Sequence, residues 1–168
     1  MELKEILNEY KYKYDLHVHT SPVSVCGEID AETTVLNYKE LGFTGIVITN
    51  HFSRNAFNES KSREEWLQFY LKDYHDAKSF GKKYGLDVLL GLEIRFPENA
   101  NDYLVFGVDE NDVIRAYDYL DGDYKSFYKE YKNDKNVIVQ AHPFRKNMEL
   151  QDLSYLDGIE TYNLHPNQ

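Results

Sequence analysis

Histidines and one glutamate follow several short apolar segments of the chain. His17 and His19 lie two residues apart within segment 15–20, so their side chains project to the same face of a strand. Three further apolar segments run directly into a residue that can bind a metal ion: His51, Glu93 and His142. Imidazole nitrogens with a carboxylate suit Zn²⁺, Mn²⁺ or Fe²⁺ better than Mg²⁺ or Ca²⁺. The pattern therefore predicts a metal centre.

A centre that holds two metal ions side by side would be suited to catalysing hydrolysis. A carboxylate among the ligands can bridge two ions. Two adjacent ions can activate a water molecule and hold the attacking and leaving oxygens of a displacement at phosphorus. Phosphoester hydrolysis is the predicted chemistry, although the same ligands also permit hydrolysis of a carboxamide.

The elements that must position these residues alternate between strand and helix. Predicted strands cover 12–18, 45–49, 86–92, 103–108, 137–140 and 158–162. Predicted helices cover 31–41 and 63–84, with a helical pair before residue 131 and a short helix or turn at 150–156. Asp30 and Ser62 are the expected N-caps, and Gly42 and Gly85 the expected stops. This order favours a mostly parallel α/β fold, in which the C-terminal ends of the strands bring the ligands together.

Length and charge limit the remaining possibilities. The 168 residues are expected to form a single domain over 1–168, and 42% hydrophobic residues are sufficient for a folded core. A net charge of −10 disfavours binding of long duplex nucleic acid. We find no apolar run long enough to cross a membrane and no signal peptide, so we expect a cytoplasmic protein without membrane partners.

The ordered motifs also resemble a known family. DLHVHT (15–20), TNH (49–51), GLE (91–93), AHP (141–143) and IETYN (159–163) resemble the motifs of the PHP (polymerase and histidinol phosphatase) family of metal-dependent phosphoesterases. The resemblance implies a distorted TIM-like (βα)7 barrel with two or three divalent ions at its mouth. It further implies that His17 and His19 bind the first metal, Glu93 bridges, His142 binds the second metal and His51 the third.

Three positions need a separate interpretation. Asn50 stands where the family usually has aspartate; it can supply a hydrogen bond but no charge, and we assign it to the catalytic site. Cys26 lies where many members carry a His or Asp ligand, and it is either a thiolate ligand or a small loop residue. Asp109 follows the fourth strand and is either a metal ligand or a helix cap.

Basic residues lie just beyond several of the predicted ligands. Arg95 and Arg145 are expected to project near the mouth, where a guanidinium suits phosphate oxygens; ordinary surface salt bridges are the alternative. Lys146 and Arg54 are weaker candidates for this role. His75, inside the predicted long helix, is expected to be a surface residue.

The family closes its metal site with a Ser-Asp-x-His segment, and none follows Asn163 here. We therefore expect a barrel that is incomplete at its C-terminus, with an incomplete shell around the first metal. An open barrel edge invites pairing with another chain, so a homodimer is predicted. His165 is either a replacement ligand or a solvated residue near the chain end.

The leading hypothesis is a metal-dependent phosphoesterase that acts on a small phosphorylated metabolite or a short nucleotide. The alternative is a PHP-like binding or regulatory module with impaired catalysis, which Asn50, Cys26 and the missing closing motif would explain. The third is an amidohydrolase-type metal hydrolase. Amidohydrolases usually carry a lysine at the end of a middle strand, and no predicted strand here ends in lysine.

Overall fold

A computed structural model of the protein describes residues 9–57 and 61–163. The strands are β1 (Tyr14–Val18), β2 (Gly45–Ile48), β3 (His51–Phe52), β4 (Asp87–Leu90), β5 (Leu92–Arg95), β6 (Asp102–Phe106), β7 (Val137–Gln140) and β8 (Gly158–Ile159). The helices are α1 (Ala31–Glu40), α2 (Arg63–Tyr84), α3 (Glu110–Ala116) and α4 (Tyr124–Tyr131), with 3-10 turns at Tyr117–Tyr119 and Leu153–Tyr155. The predicted mixed α/β class is confirmed.

The two long helices begin and end where the sequence predicts. Asp30 caps α1 by accepting a hydrogen bond from Thr33 N at 2.8 Å. Ser62 and Glu65 cap α2 reciprocally, since each side chain accepts from the backbone N–H of the other residue. Gly85 ends α2 with φ of 75°, a left-handed conformation that glycine adopts without strain.

The strands form two sheets. One sheet is parallel, in the order β1-β2-β4, and the other is mixed, in the order β3-β5-β6-β7-β8. The predicted strand 86–92 is in fact two strands, β4 and β5, which belong to different sheets. Gly91 lies between them, where a Cβ would come within 2.9 Å of side-chain carbons of Val47 and Thr49. Glycine is thus required where the chain passes from one sheet to the other.

Among the described residues four of the six strand pairs are parallel, as expected for a mostly parallel arrangement, but β6 runs antiparallel to both β5 and β7. The chain between β5 and β6 spans only residues 96–101. A parallel crossover needs about a dozen residues or more, so this connection permits only an antiparallel return. The N-terminal end of β6, rather than its C-terminal end, therefore lies beside the ligands of β5.

The core joins α2 to the sheets. Trp66, Tyr70 and Ala77 are almost completely buried on one face of α2, at the spacing of successive turns. Gly81 continues this face against β4, where a Cβ would lie 2.6 Å from Val88 Cγ2. The absence of a side chain at Gly81 thus lets α2 pack directly on β4.

The described residues do not close into a barrel, so the (βα)7 detail of the predicted fold is not shown. β1 and β8 each lie at the edge of a sheet, and pairing of a second copy at an open edge stays a prediction. Within 9–57 and 61–163, no helix has the length and apolar character needed to cross a bilayer.

Candidate metal centre

Glu93 lies at the centre of the predicted ligands. Its Oε1 is 2.9 Å from His142 Nε2 and 3.2 Å from His17 Nε2. Its Oε2 is 2.6 Å from His51 Nδ1 and 3.2 Å from His19 Nε2. Each carboxylate oxygen therefore faces a different pair of imidazoles. We define the inner half of the site as His17, His142 and Glu160, and the outer half as His19, His51 and Cys26.

Strand pairing explains why these residues meet. His51 is the Cα partner of Glu93 in the parallel pair β3-β5. Leu104 of β6 pairs with Glu93 on one side and with Val139 of β7 on the other, which places His142, just past β7, near the carboxylate. The pair at the C-terminal end of β1 reaches the same point from the other sheet, since His17 Nε2 lies 3.0 Å from His19 Nε2 and both face Glu93.

Glu160 organises the inner half. Its Oε1 accepts a hydrogen bond from His17 Nδ1 at 2.9 Å, and its Oε2 accepts from the backbone N–H of His142 at 2.8 Å. His142 has φ of 30°, in a region that non-glycine residues rarely adopt. Such a conformation persists where neighbours hold it, and it recurs at functional sites.

The loop after β1 organises the outer half. Ser24 Oγ lies 3.1 Å from His19 Nδ1 and accepts from the backbone N–H of His51 at 2.9 Å. The loop then folds back at Gly27, where a Cβ would lie 2.6 Å from the carbonyl carbon of Thr20. This close return places the thiol of Cys26 within reach of both imidazoles.

A buried hydrogen-bond network lies beside the outer half. Asn50 Oδ1 accepts from Thr20 N at 2.8 Å, and Asn50 Nδ2 donates to Thr20 Oγ1 at 2.9 Å. The Thr20 hydroxyl in turn donates to Asp73 Oδ2 at 2.9 Å. The amide of Asn50 is thus directed to Thr20 and fixes the strand end from which the loop departs. Its position supports the loop, and its assignment to catalysis stays a prediction.

The environment of the centre shifts the pKa values of Glu93 and His17. Burial alone raises the pKa of Glu93, but the surrounding imidazoles of His142, His17, His19 and His51 hold it well below its usual range. Burial alone lowers the pKa of His17, yet the hydrogen bonds to Glu160 and Glu93 raise it to about 9. The raised pKa values of His17, His19 and His51 and the lowered pKa of Glu93 favour a carboxylate anion beside these imidazoles.

The pKa of the Cys26 thiol is lowered, whereas the pKa of His17 is raised. Hydrogen bonds from His19 and His51 lower it to about 6, so the thiolate is favoured at neutral pH. Burial raises the pKa of Glu160, but its hydrogen bond to His17 outweighs this and leaves the pKa below the ordinary value. The lowered pKa values thus favour the deprotonated forms of Cys26 and Glu160.

The donor set fits divalent metal ions. When His17 donates its Nδ1–H to Glu160, its Nε2 presents a lone pair to Glu93 Oε1, an acceptor 3.2 Å away. Two facing acceptors need a proton or a cation between them. Glu93 Oε2 and His142 Nδ1 are buried and make no hydrogen bond among the described residues. Three groups have ligand atoms within 4.8 Å of one another: His17, Glu93 and His142; His19, Cys26 and His51; and His51, Glu93 and Asp102.

The site opens into a cavity of about 850 Å³, and the two predicted arginines are placed differently around it. Arg145 lines this cavity, and its Nε is buried without a hydrogen-bond partner among the described residues. Arg95 does not line it. Its guanidinium binds the fully buried carboxylate of Asp102, with Nε 2.6 Å from Oδ1, and it faces a separate small cleft with Arg54. The expectation that both arginines project into the mouth is wrong for Arg95.

Other candidates lie away from the centre. Asp109 caps α3 by accepting from Asp112 N at 3.0 Å, and it belongs to none of the three ligand groups. Because β6 is antiparallel, its C-terminal end carries Asp109 away from the mouth, which corrects the expectation of a ligand there. His75 is half-exposed beside Glu110, as predicted for a surface residue. His165 lies outside the described residues, and Lys146 is exposed.

Sequence reasoning missed several residues that complete the site. Glu160 directly follows β8, but the predicted strand 158–162 extends past it, so the rule that ligands follow strands would have found it only with the correct strand end. Asp102 lies 3.6 Å from His142 Nε2, but it begins a strand and is recognisable only once β6 is known to be antiparallel. Ser24 and Asp73 carry no motif, and only the tertiary contacts identify them.

The fold and the site define a mixed α/β protein with a histidine-rich cluster that fits divalent metal ions. The sequence profile of the PHP domain family matches residues 15–167, and the chain belongs to this family. No curated protein sequence is similar enough to the chain to count as a match.

Solved structures share the fold at low sequence identity. A protein from Bifidobacterium adolescentis, assigned as a metal-dependent phosphoesterase, superposes with a TM-score of 0.55 and 16% identity over 90% of this chain and 77% of its own. A two-domain protein from Bacteroides vulgatus, assigned a PHP-like metal-dependent phosphoesterase domain, has a TM-score of 0.60 and 19% identity; the match covers 88% of this chain and 43% of that one. These similarities establish the fold.

Proposed function

We propose that the protein is a metal-dependent phosphoesterase that hydrolyses a phosphomonoester or phosphodiester. The observation that carries the proposal is that the two carboxylate oxygens of Glu93 face different pairs of imidazoles. A carboxylate in this arrangement suits a bridge between two cations, and paired cations suit displacement at phosphorus. Membership of the PHP family and the fold shared with assigned phosphoesterases support the same conclusion.

The inner and outer halves would hold two or three divalent ions of the Zn²⁺, Mn²⁺ or Fe²⁺ type through their imidazoles, with Glu93 between them. Ions bound there would supply a water molecule of lowered pKa and positive charge beside the phosphoryl oxygens. The protein's contribution is to fix the ligands. Glu160 holds the Nδ1–H of His17 and thereby leaves Nε2 free to bind.

Arg145 is the residue that we assign to substrate binding. It lines the cavity beside His142 and Glu160, and the unpaired Nε gives it a donor free for a phosphate oxygen. A guanidinium binds phosphate through parallel N–H donors, which orients the ester as well as attracting it. The guanidinium of Arg95 already forms an ion pair with Asp102, so we do not assign Arg95 to substrate binding.

The net charge of −10 favours a small phosphorylated metabolite or a short nucleotide over a long duplex. The cavity of about 850 Å³ lies within the range of about 300–1,000 Å³ typical of small-molecule sites. A phosphorylated small molecule, acted on in the cytoplasm, is therefore the substrate class that we propose.

Elemental analysis of the purified chain, paired with assays on a generic aryl phosphate before and after EDTA, tests the proposal. We expect two or more divalent ions per chain, activity that EDTA abolishes, and activity restored by Zn²⁺ or Mn²⁺. His17→Ala should reduce both metal content and activity, whereas the matched variant His75→Ala should change neither, because His75 lies on the surface of α2.

Turnover that survives EDTA, or that is equal in His17→Ala and the unchanged chain, would show that the metal centre is not catalytic. Bound metal without turnover on phosphomonoesters and phosphodiesters would instead favour a binding module that has kept the ligands.

A further inference from the structure

The outer half differs chemically from the inner half because it contains sulfur. Cys26 Sγ and one nitrogen each of His19 and His51 lie within 4.8 Å of one another. The group that spans the inner half contains only nitrogen and oxygen, from His17, Glu93 and His142. Thiolate ligands favour thiophilic cations such as Zn²⁺, whereas carboxylate and imidazole accept a wider range that includes Mn²⁺.

Local backbone structure holds Cys26 in this position. Gly27 N donates to Ser24 O at 3.0 Å, and Ser24 N donates to Thr20 O at 3.0 Å, so the loop winds back toward the end of β1. Ser21 N also donates to Ile29 O at 2.9 Å, which closes the base of the loop. The thiol therefore reaches the imidazoles through a hydrogen-bonded loop.

An independent feature points to a ligand at the same place. Glu93 Oε2 is buried and has no hydrogen-bond partner among the described residues, although His51 Nδ1 is only 2.6 Å away and His19 Nε2 is 3.2 Å away. A buried carboxylate oxygen is costly to leave without a partner. It is aimed at the two histidines that also contact the thiol, and a cation bound among them would satisfy it.

We propose that the metal centre is divided into two chemically different positions, of which the outer one, formed by His19, His51 and Cys26, selects a thiophilic cation such as Zn²⁺. The inner position, with nitrogen and oxygen ligands, accepts Mn²⁺ or Fe²⁺ as well. This inference rests on the metal centre of the proposed function and adds the identity of the ion at one position.

Cobalt substitution tests the division directly, with a readout other than activity. The purified full chain is loaded with Co²⁺ and its absorption is recorded in the near ultraviolet, where a bond from thiolate to cobalt gives a charge-transfer band. We expect this band in the unchanged chain and in His17→Ala, whose alteration lies in the inner half. Cys26→Ser should lose it, while the neighbouring exposed control Val25→Ser should retain it.

Competition between metals provides the second measurement. Cys26→Ser should lower the affinity for Zn²⁺ by at least about 10- to 100-fold, because the loss of a partner that only orients a ligand already costs this much. The affinity for Mn²⁺ should change little, because Mn²⁺ gains little from a thiolate. Bound Zn²⁺ should also protect Cys26 from alkylation, and Mn²⁺ should protect it less.

The outcomes separate this inference from the proposed function. Cobalt that binds without a charge-transfer band, or a band that persists in Cys26→Ser, overturns the sulfur position and leaves the metal-dependent phosphoesterase intact. If no cobalt, zinc or manganese binds to the chain, both proposals fail. A Zn²⁺ preference that is equal in Cys26→Ser and the unchanged chain also overturns the division.

Discussion

The inner and outer halves share Glu93 but are held by different kinds of structure. The His17 and His142 side chains of the inner half are 10% and 2% exposed, and Glu160 fixes both residues through short hydrogen bonds. In the outer half the His51 side chain is 32% exposed, and its neighbours belong to a loop. Strand ends thus form a position that is closed to solvent, whereas the position supported by the loop is open to solvent.

Loss of the shared carboxylate should have the largest effect, because Glu93 contacts the imidazoles of both halves. In Glu93→Gln, four imidazoles lose their common counter-charge and both halves lose a ligand. We expect fewer than one metal ion per chain and activity lower by on the order of 100- to 1,000-fold, as for removal of a central electrostatic group. Elemental analysis and the aryl phosphate assay measure both. Glu110→Gln, at an exposed pair with His75, is the control; two ions retained in Glu93→Gln would contradict the bridging role.

Weakening the inner half alone should have the next largest effect. Glu160→Gln removes the carboxylate that fixes His17 Nδ1 and the backbone of His142. We expect inner-half metal affinity to fall about 10- to 100-fold, the usual cost of losing such a supporting group. Metal titration should show one weakened position, while the cobalt–thiolate band of the outer half remains. Equal weakening of both positions would show that the halves are not separable.

Ser24→Ala is the corresponding change in the outer half. It removes the hydroxyl beside His19 Nδ1 and leaves the backbone N–H of His51 without its acceptor. The expected loss of metal affinity is nearer to about 10-fold, since a neutral hydroxyl supports its ligand less strongly than a carboxylate. The cobalt–thiolate band should weaken at limiting Co²⁺ concentration. Ser154→Ala, at an exposed serine, should leave the titration unchanged, and a band unaffected by Ser24→Ala would contradict this support.

Asn50→Asp should have the smallest effect on metal binding and act mainly on stability. Thr20 Oγ1 accepts from Asn50 and already donates to Asp73, so an aspartate at position 50 would place an acceptor against an acceptor. We expect the free energy of unfolding in urea to fall by about 1–3 kcal/mol, the cost of an unsatisfied buried group. The double variant Asn50→Asp/Asp73→Asn reverses the direction of these hydrogen bonds and should recover much of the loss. No loss in the single variant would show that the network tolerates a second carboxylate.

Local sequence signals predicted the elements well where the cause is local. Ser62 and Gly85 delimit α2 through capping and a left-handed turn, both of which depend on neighbouring residues. The strand 137–140 is correct for the same reason, since a β-branched run between turns needs no distant partner to be recognised. The predicted strand 86–92 was wrong because its division at Gly91 depends on contacts with Val47 and Thr49 in another strand.

The candidate site shows the same limit. His17, His19, His51, Glu93 and His142 could be found because each follows an apolar strand, and the structure brings all five together. Asp109 was misplaced because the antiparallel direction of β6 carries its C-terminal end away from the mouth, and Arg95 was misplaced because the same direction sets Asp102 beside it, which binds its guanidinium. The short connection over 96–101 carries this information, but only once the limits of both strands are known.

The amino-acid sequence by itself determined the ligand types, their order along strand ends, the helix caps and the membership of the PHP family. These follow from residue chemistry and from spacing over a few positions. Only the tertiary structure decided that Glu93 presents one oxygen to each pair of imidazoles, that Glu160 supports His17, and that Cys26 joins His19 and His51. Such contacts depend on strand direction and loop return, which couple residues far apart in the chain.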